Sequence, residues 1–218
     1  RPAARGRFTV TTRIKICGIT RCVDAEVVVA AGGDALGLNF AQASPRYIEL
    51  TQAAEISGLV AGQLSRVGVF VDPSAAEVEK TLARVDLDLL QFHGQETAEF
   101  CRRFGVPYLK ALRVREPFAI EDLEVEYADA CALLLDAHVA GQPGGTGVSF
   151  DWNLWPSAAN KKLVLAGGLH AGNVACAIRE TRPYAVDVSG GVEGAVKGEK
   201  DAAKIQAFIA EVRSARLE

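Results

Sequence analysis

Two polar side chains stand where buried apolar runs end. Cys17 closes Arg13-Ile14-Lys15-Ile16-Cys17 just before Gly18-Ile19-Thr20, and Asp136 closes Leu133-Leu134-Leu135-Asp136. A thiol acts as a base only as thiolate, so a working Cys17 needs surroundings that favour the anion. The alternative is a small buried hydrophobe, the usual fate of a free cysteine. A carboxyl behind three leucines is partly desolvated, which favours the neutral form from which a general acid donates. Otherwise Asp136 is a loop cap. A candidate base and a candidate acid at two strand ends point to proton-transfer chemistry on one small substrate.

Glycines mark two later strand ends, Gly167-Gly168 and Ser189-Gly190-Gly191. Backbone N–H groups approach an anion closely at such turns, and a following helix start adds a favourable dipole. Either turn alone is explained equally well as a tight strand-to-helix connection; the two together predict a phosphate grip. Arg46, in Ser44-Pro45-Arg46-Tyr47, carries a fork that clamps carboxylates, although taken alone it reads more simply as a surface arginine. His93, in Gln91-Phe92-His93-Gly94, is either a hydrogen-bonding wall of a pocket or a satisfied core histidine. His138 and His170 have no metal-like partner in sequence, so neither is given a catalytic role.

These residues need a scaffold, and the chain supplies one. Its 218 residues are 49% hydrophobic with a net charge of −3, enough for a sizeable core and without the basic stretch of a nucleic-acid binder. No apolar run is long enough to span a membrane. The five cysteines, Cys17, Cys22, Cys101, Cys131 and Cys176, contain no Cys-x-x-Cys pair. They fit reduced thiols in a cytoplasmic protein, and the last four are expected to pack. Residues 1–12 read as a ragged extension and 13–218 as the folded domain.

Strand and helix patterns alternate throughout. Strands are expected at 14–17, 35–40, 67–71, 89–93, 108–111, 132–136, 163–166 and 185–189. Helices are expected at 22–31, 51–61, 75–83, 97–104, 171–180 and 202–213. The fifth helix, near 119–127, is crowded with acids, and the sixth, 151–159, is interrupted by Pro156. Eight short apolar strands, each followed by a helix, predict a single (β/α)8, or TIM, barrel. Catalytic groups in that fold sit at the carboxyl ends of the strands, and phosphate is held after the seventh and eighth. Period-two alternation puts Arg13, Lys15 and Cys17 on one face of the first strand and Asp187 and Ser189 on one face of the last. Closure makes those strands neighbours, so an interior Lys15–Asp187 ion pair is expected, because an unpartnered buried charge costs too much.

Several motifs, in order, resemble those of the phosphoribosylanthranilate isomerase family. They are Lys15-Ile16-Cys17-Gly18-Ile19-Thr20, Gly37-Leu38-Asn39-Phe40 with Ser44-Pro45-Arg46-Tyr47, and Val67-Gly68-Val69-Phe70-Val71. Gln91-Phe92-His93-Gly94, Leu134-Leu135-Asp136 with Gly144-Gly145-Thr146-Gly147, and Phe150-Asp151-Trp152 continue the series. Leu165-Ala166-Gly167-Gly168-Leu169, Asp187-Val188-Ser189 and Gly198 to Asp201 close it. The resemblance implies a (β/α)8 barrel that performs an Amadori rearrangement of a phosphorylated sugar amine in tryptophan biosynthesis, with no cofactor or metal. It implies Cys17 as base, Asp136 as acid and Arg46 on the anthranilate carboxylate. His93, Gly167, Gly168, Ser189, Gly190 and Gly191 would contact the rest of the substrate. A monomer or homodimer is expected, with no nucleic-acid or membrane partner. Gly190 departs from the family pattern, which often has serine there. The rival readings are a phosphosugar isomerase of histidine biosynthesis, which uses a carboxylate in place of Cys17, and a catalytically silent phosphate-binding barrel.

Overall fold

The structure is a computed structural model that describes residues 11–114, 118–137 and 152–215. Eight parallel strands close into a barrel in sequence order. They are β1 (Arg13–Cys17), β2 (Ala35–Asn39), β3 (Ser65–Phe70), β4 (Leu89–Phe92), β5 (Tyr108–Val114), β6 (Ala132–Ala137), β7 (Leu163–Ala166) and β8 (Ala185–Val188). Seven α-helices lie among the described residues: α1 (Cys22–Ala31), α2 (Leu50–Leu59), α3 (Ala75–Leu82), α4 (Ala98–Arg102), α5 (Ile120–Glu126), α6 (Val174–Thr181) and α7 (Ala202–Ser214). None is long and apolar enough to cross a membrane.

Local chemistry sets several helix starts. Ser74 and Glu77 form a reciprocal capping box at α3, Thr97 caps α4, and Asp201 accepts from the Lys204 N–H at α7. The acid-rich fifth helix does form, because Glu121 and Asp122 fall in its first turn, where negative charge meets the positive end of the helix dipole. The stretch around Pro156 yields only a 3-10 turn, Trp152–Leu154, as the missing N–H and ring clash of proline require.

Alternation along each strand sorts side chains into two layers. Ile14, Ile16, Leu36, Leu38, Leu90, Phe92, Leu133, Leu135, Val186 and Val188 face the helices and join one large core. Leu109, Ala111, Ala132, Leu134, Val164, Ala166 and Ala185 fill the barrel interior. Lys15 and Asp187, paired across β1 and β8, share that interior parity. So do Cys17 and Asp136, which therefore face inward at the same rim, three strands apart around the ring.

Residues 1–10 of the expected extension lie outside the described residues. Thr12 is already buried, and its hydroxyl donates to the Pro183 carbonyl. His138 and the Gly144–Gly147 loop also lie outside the described residues.

Candidate active site

Cys17 ends β1 and is buried. Its sulfur lies against Gly37 of β2; a Cβ placed there would come within 2.8 Å of Sγ and 3.3 Å of Lys15 Cε. The absent side chain thus makes the space that thiol and ammonium share. Lys15 Nζ is 2.8 Å from Asp187 Oδ1, with both side chains nearly inaccessible, which bears out the interior pair expected from alternation and closure.

The electrostatics of this cluster follow from burial and charge. Burial pushes the Cys17 thiol up, while Lys15 and Lys200 pull it back towards thiolate. Burial also pushes the Asp187 carboxyl up, although Lys15 opposes it. For Lys15, burial acts downward, but Asp187 and Cys17 outweigh it and hold the ammonium above its ordinary range. The site therefore keeps a positive charge beside the sulfur, which is what a thiolate needs.

Asp136, at the end of β6, faces His93 beyond the end of β4: Oδ2 and Nε2 are 3.1 Å apart. His93 Nδ1 is in turn 3.1 Å from Nε2 of the buried Gln91. His93 is thus neither a core histidine nor a plain wall, but a bridge from an interior amide to the candidate acid.

Arg46 is not a surface residue. It is 7% exposed and forms a two-point contact with Glu193, Nε to Oε1 at 2.6 Å and Nη2 to Oε2 at 3.0 Å. Its side chain crosses Gly18, where a Cβ would collide with it. The lateral edge of the guanidinium is thereby taken. The end-on edge makes no hydrogen bond among the described residues, so a carboxylate clamp can only be end-on.

The two glycine turns meet. A Cβ on Gly191 would run into the carbonyl oxygen of Leu169, so the turn after β8 packs directly on the turn after β7. Gly167 and Gly168 both have positive φ, +89° and +64°. Asn173 braces their turn by donating to the Gly168 carbonyl and accepting from the His170 N–H. Among the described residues no hydrogen bond uses the backbone N–H of Gly168, Gly190 or Gly191. Ser189 differs: its hydroxyl donates to the Cys17 carbonyl at 3.0 Å and takes a bond from Lys200. That hydrogen is committed to fastening β8 to β1, which leaves Ser189 only its backbone for an anion.

Three residues of this network had no assigned role from sequence. Gln91 and Lys200 sit inside the motifs that carried the resemblance, whereas Glu193 lies between two of them, and none is a usual catalytic type at a strand end. Lys200 Nζ is fully buried and reaches Ser189 and Glu193. Burial holds its ammonium below its ordinary range despite Glu193. For Glu193, burial acts upward, but Arg46 and Lys200 prevail and keep the carboxylate below its usual range. Of the other cysteines, all expected to pack, Cys101 is buried, Cys22 and Cys176 are partly buried, and Cys131 is exposed.

The arrangement offers a thiol flanked by cations, a carboxyl held by an imidazole, an arginine fork and a glycine-lined anion cradle, all at one end of the barrel. Comparison with known proteins agrees. Residues 14–211 match the family model described as N-(5'-phosphoribosyl)anthranilate (PRA) isomerase. The N-(5'-phosphoribosyl)anthranilate isomerase of Pseudomonas paraeruginosa is 53% identical over 202 residues, covering 93% of this chain and 95% of that one. The crystal structure of phosphoribosyl anthranilate isomerase from Thermotoga maritima superposes with a TM-score of 0.83 at 38% identity, covering 93% of this chain and 98% of that one. A structure of the isomerase in complex with reduced 1-(o-carboxyphenylamino)-1-deoxyribulose 5-phosphate superposes with a TM-score of 0.76 at 36% identity, over 93% and 98% of the two chains. The chain belongs to the N-(5'-phosphoribosyl)anthranilate isomerase family.

Proposed function

We propose that this isomerase uses Asp136 as its acid and Cys17 as its base. The reaction is the Amadori rearrangement of N-(5-phosphoribosyl)anthranilate to 1-(2-carboxyphenylamino)-1-deoxyribulose 5-phosphate in tryptophan biosynthesis. Asp136 gives a proton to the ribose ring oxygen, the C1–O bond breaks, and the nitrogen lone pair forms an iminium. Cys17, as thiolate, takes the proton from C2, and those electrons give the enolamine. The enolamine gains a proton at C1 and loses its hydroxyl proton, which leaves the ketone with no net change in atoms.

The observation that carries this reading is that the thiol and the carboxyl face inward at one rim, within a family match that spans nearly the whole chain. Lys15 and Lys200 favour the thiolate. Arg46, steadied by Glu193, takes the anthranilate carboxylate by its end-on edge. The N–H groups at Gly167, Gly168, Ser189, Gly190 and Gly191 take the phosphate, and His93 holds the acid in place. The solved relative with a bound phosphorylated compound supports that class of ligand.

Steady-state assays of Cys17→Ser and Asp136→Asn test the assignment. Each is expected to lower kcat by ~10²–10⁴-fold, the usual worth of a positioned acid or base, while a reduced product analogue still binds. Near-normal turnover in either variant removes that residue from its role.

A further inference from the structure

Gln91 is one of the most deeply buried polar residues described, 1% exposed. Among the described residues its side chain makes one hydrogen bond, from Nε2 to His93 Nδ1 at 3.1 Å, and its Oε1 has no partner. It lies on β4 two residues before His93 and shares its inward face. The other nitrogen of that ring is 3.1 Å from Asp136 Oδ2. Amide, imidazole and carboxyl thus form a line from inside the barrel to its rim.

With the amide nitrogen turned towards the ring, the line has one consistent proton arrangement. An amide nitrogen can only donate, so Nδ1 must accept. A neutral imidazole that accepts at Nδ1 carries its hydrogen on Nε2. Nε2–H then donates to Oδ2, which makes Oδ2 an acceptor and leaves Oδ1 as the oxygen that can carry the acid's proton. With an acceptor in place of the amide nitrogen, Nδ1 would carry the hydrogen and Nε2 would be bare. A bare Nε2 would draw the carboxyl proton on to Oδ2 and hold it between the two side chains, away from any substrate.

We propose that Gln91 is a positioning residue for the acid step: it fixes the Nε2–H tautomer of His93, so that His93 donates to Asp136 and the transferable proton resides on Oδ1. This rests on the reading of Asp136 as the acid. Gln91 touches no substrate; it acts through His93.

Two measurements test it. Long-range proton–nitrogen NMR of the ring of His93 in the ligand-free protein is expected to show a protonated Nε2 and an unprotonated Nδ1. The reverse tautomer overturns the proposal without reference to activity. Gln91→Glu, whose carboxylate when ionised presents only acceptors to Nδ1, is expected to reverse the tautomer and lower kcat about 10- to 100-fold, part of what general acid catalysis is worth, with KM and product-analogue affinity within about threefold. Gln91→Leu, which neither donates nor accepts, is expected to leave mixed tautomers and a smaller loss. A folded Gln91→Glu with normal kcat, beside an inactive Asp136→Asn, overturns the role of Gln91 and spares that of Asp136. An active Asp136→Asn overturns both.

Discussion

Of the buried lysine–carboxylate pairs among the described residues, two have a 2.8 Å contact and almost no access to solvent, and they lie on opposite sides of the same sheet. Lys110 and Glu96 sit outside, under the helices, with the ammonium 5.8 Å from the ring centroid of Tyr127. Every partner there is used. Glu96 accepts from the N–H groups of Asp72 and Gly94 as well as from Lys110, and Lys110 also donates to the Gly94 carbonyl. That pair pegs the turns after β3 and β4 to the strand below. Lys15 and Asp187 sit inside. They hydrogen-bond to each other, and the ammonium also reaches the Cys17 sulfur. A saturated buried pair is a fastening; an unsaturated one beside a reactive group tunes that group.

The sharpest way to break this contrast is to remove one partner of the outer pair and replace the inner pair whole. A buried pair exchanged for apolar residues of similar volume is often neutral for stability, whereas removal of one partner costs roughly 3–5 kcal/mol. Glu96→Gln alone is expected to lower the unfolding free energy by an amount of that order, with kcat per folded molecule changed little. Lys15→Met with Asp187→Leu is expected to stay folded but to lose more than about 100-fold in kcat, since the thiolate loses its nearest cation. Denaturant unfolding and turnover measured on the same samples decide it. Equal activity losses from the outer and inner replacements would erase the distinction.

The next largest effect concerns the space behind the sulfur. Gly37→Ala is expected to displace Sγ and Lys15 together and lower kcat about 10- to 100-fold, because misplacement on the ångström scale can cost that much. Gly68→Ala, which crowds the outer-layer side chains Leu87 and Phe70 instead, is expected to cost stability and spare kcat. Single-turnover rates with thermal melts compare the two.

The pH profile sharpens the comparison further. The base must be the thiolate, and burial raises the Cys17 thiol above its usual range. The thiolate grows as pH rises while the protonated form of Asp136 declines, so kcat/KM is expected to be bell-shaped, with the limb that reports Cys17 lying beyond roughly pH 8.5, where an unburied thiol titrates. A Cys17 limb below neutrality would show that the cations outweigh burial. With the inner pair replaced, that limb is expected to move to still higher pH; with Glu96→Gln, it is expected to stay. Gly190→Ser carries the smallest effect, a KM unchanged or lowered by no more than about threefold, since the added hydroxyl supplements backbone N–H donors.

The barrel was legible in the sequence because each strand announces itself by composition and each face by alternation. β7 and α1 match their expected bounds, and most other elements shift by only one or two residues at their ends. β5 runs on to Val114, beyond its apolar stretch, because it pairs with β6 for six residues. Helix formation at α5 needed the dipole argument that a count of acids hides. The inner ion pair was legible too, since alternation sets the parity of Lys15 and Asp187 and closure makes their strands adjacent.

What the chain order alone determined is therefore whatever depends on near neighbours: the strand and helix periods, the faces, and the arrival of Cys17 and Asp136 at strand ends. What only the folded molecule decided is which polar groups are spent. Arg46 meets Glu193 across 147 residues, Ser189 gives its hydroxyl to the Cys17 carbonyl, and Gln91 reaches His93, which reaches Asp136 across 43. Hydrogen-bond commitments of that kind are set by angles and tenths of an ångström between elements distant in sequence, and no local pattern of residues encodes them.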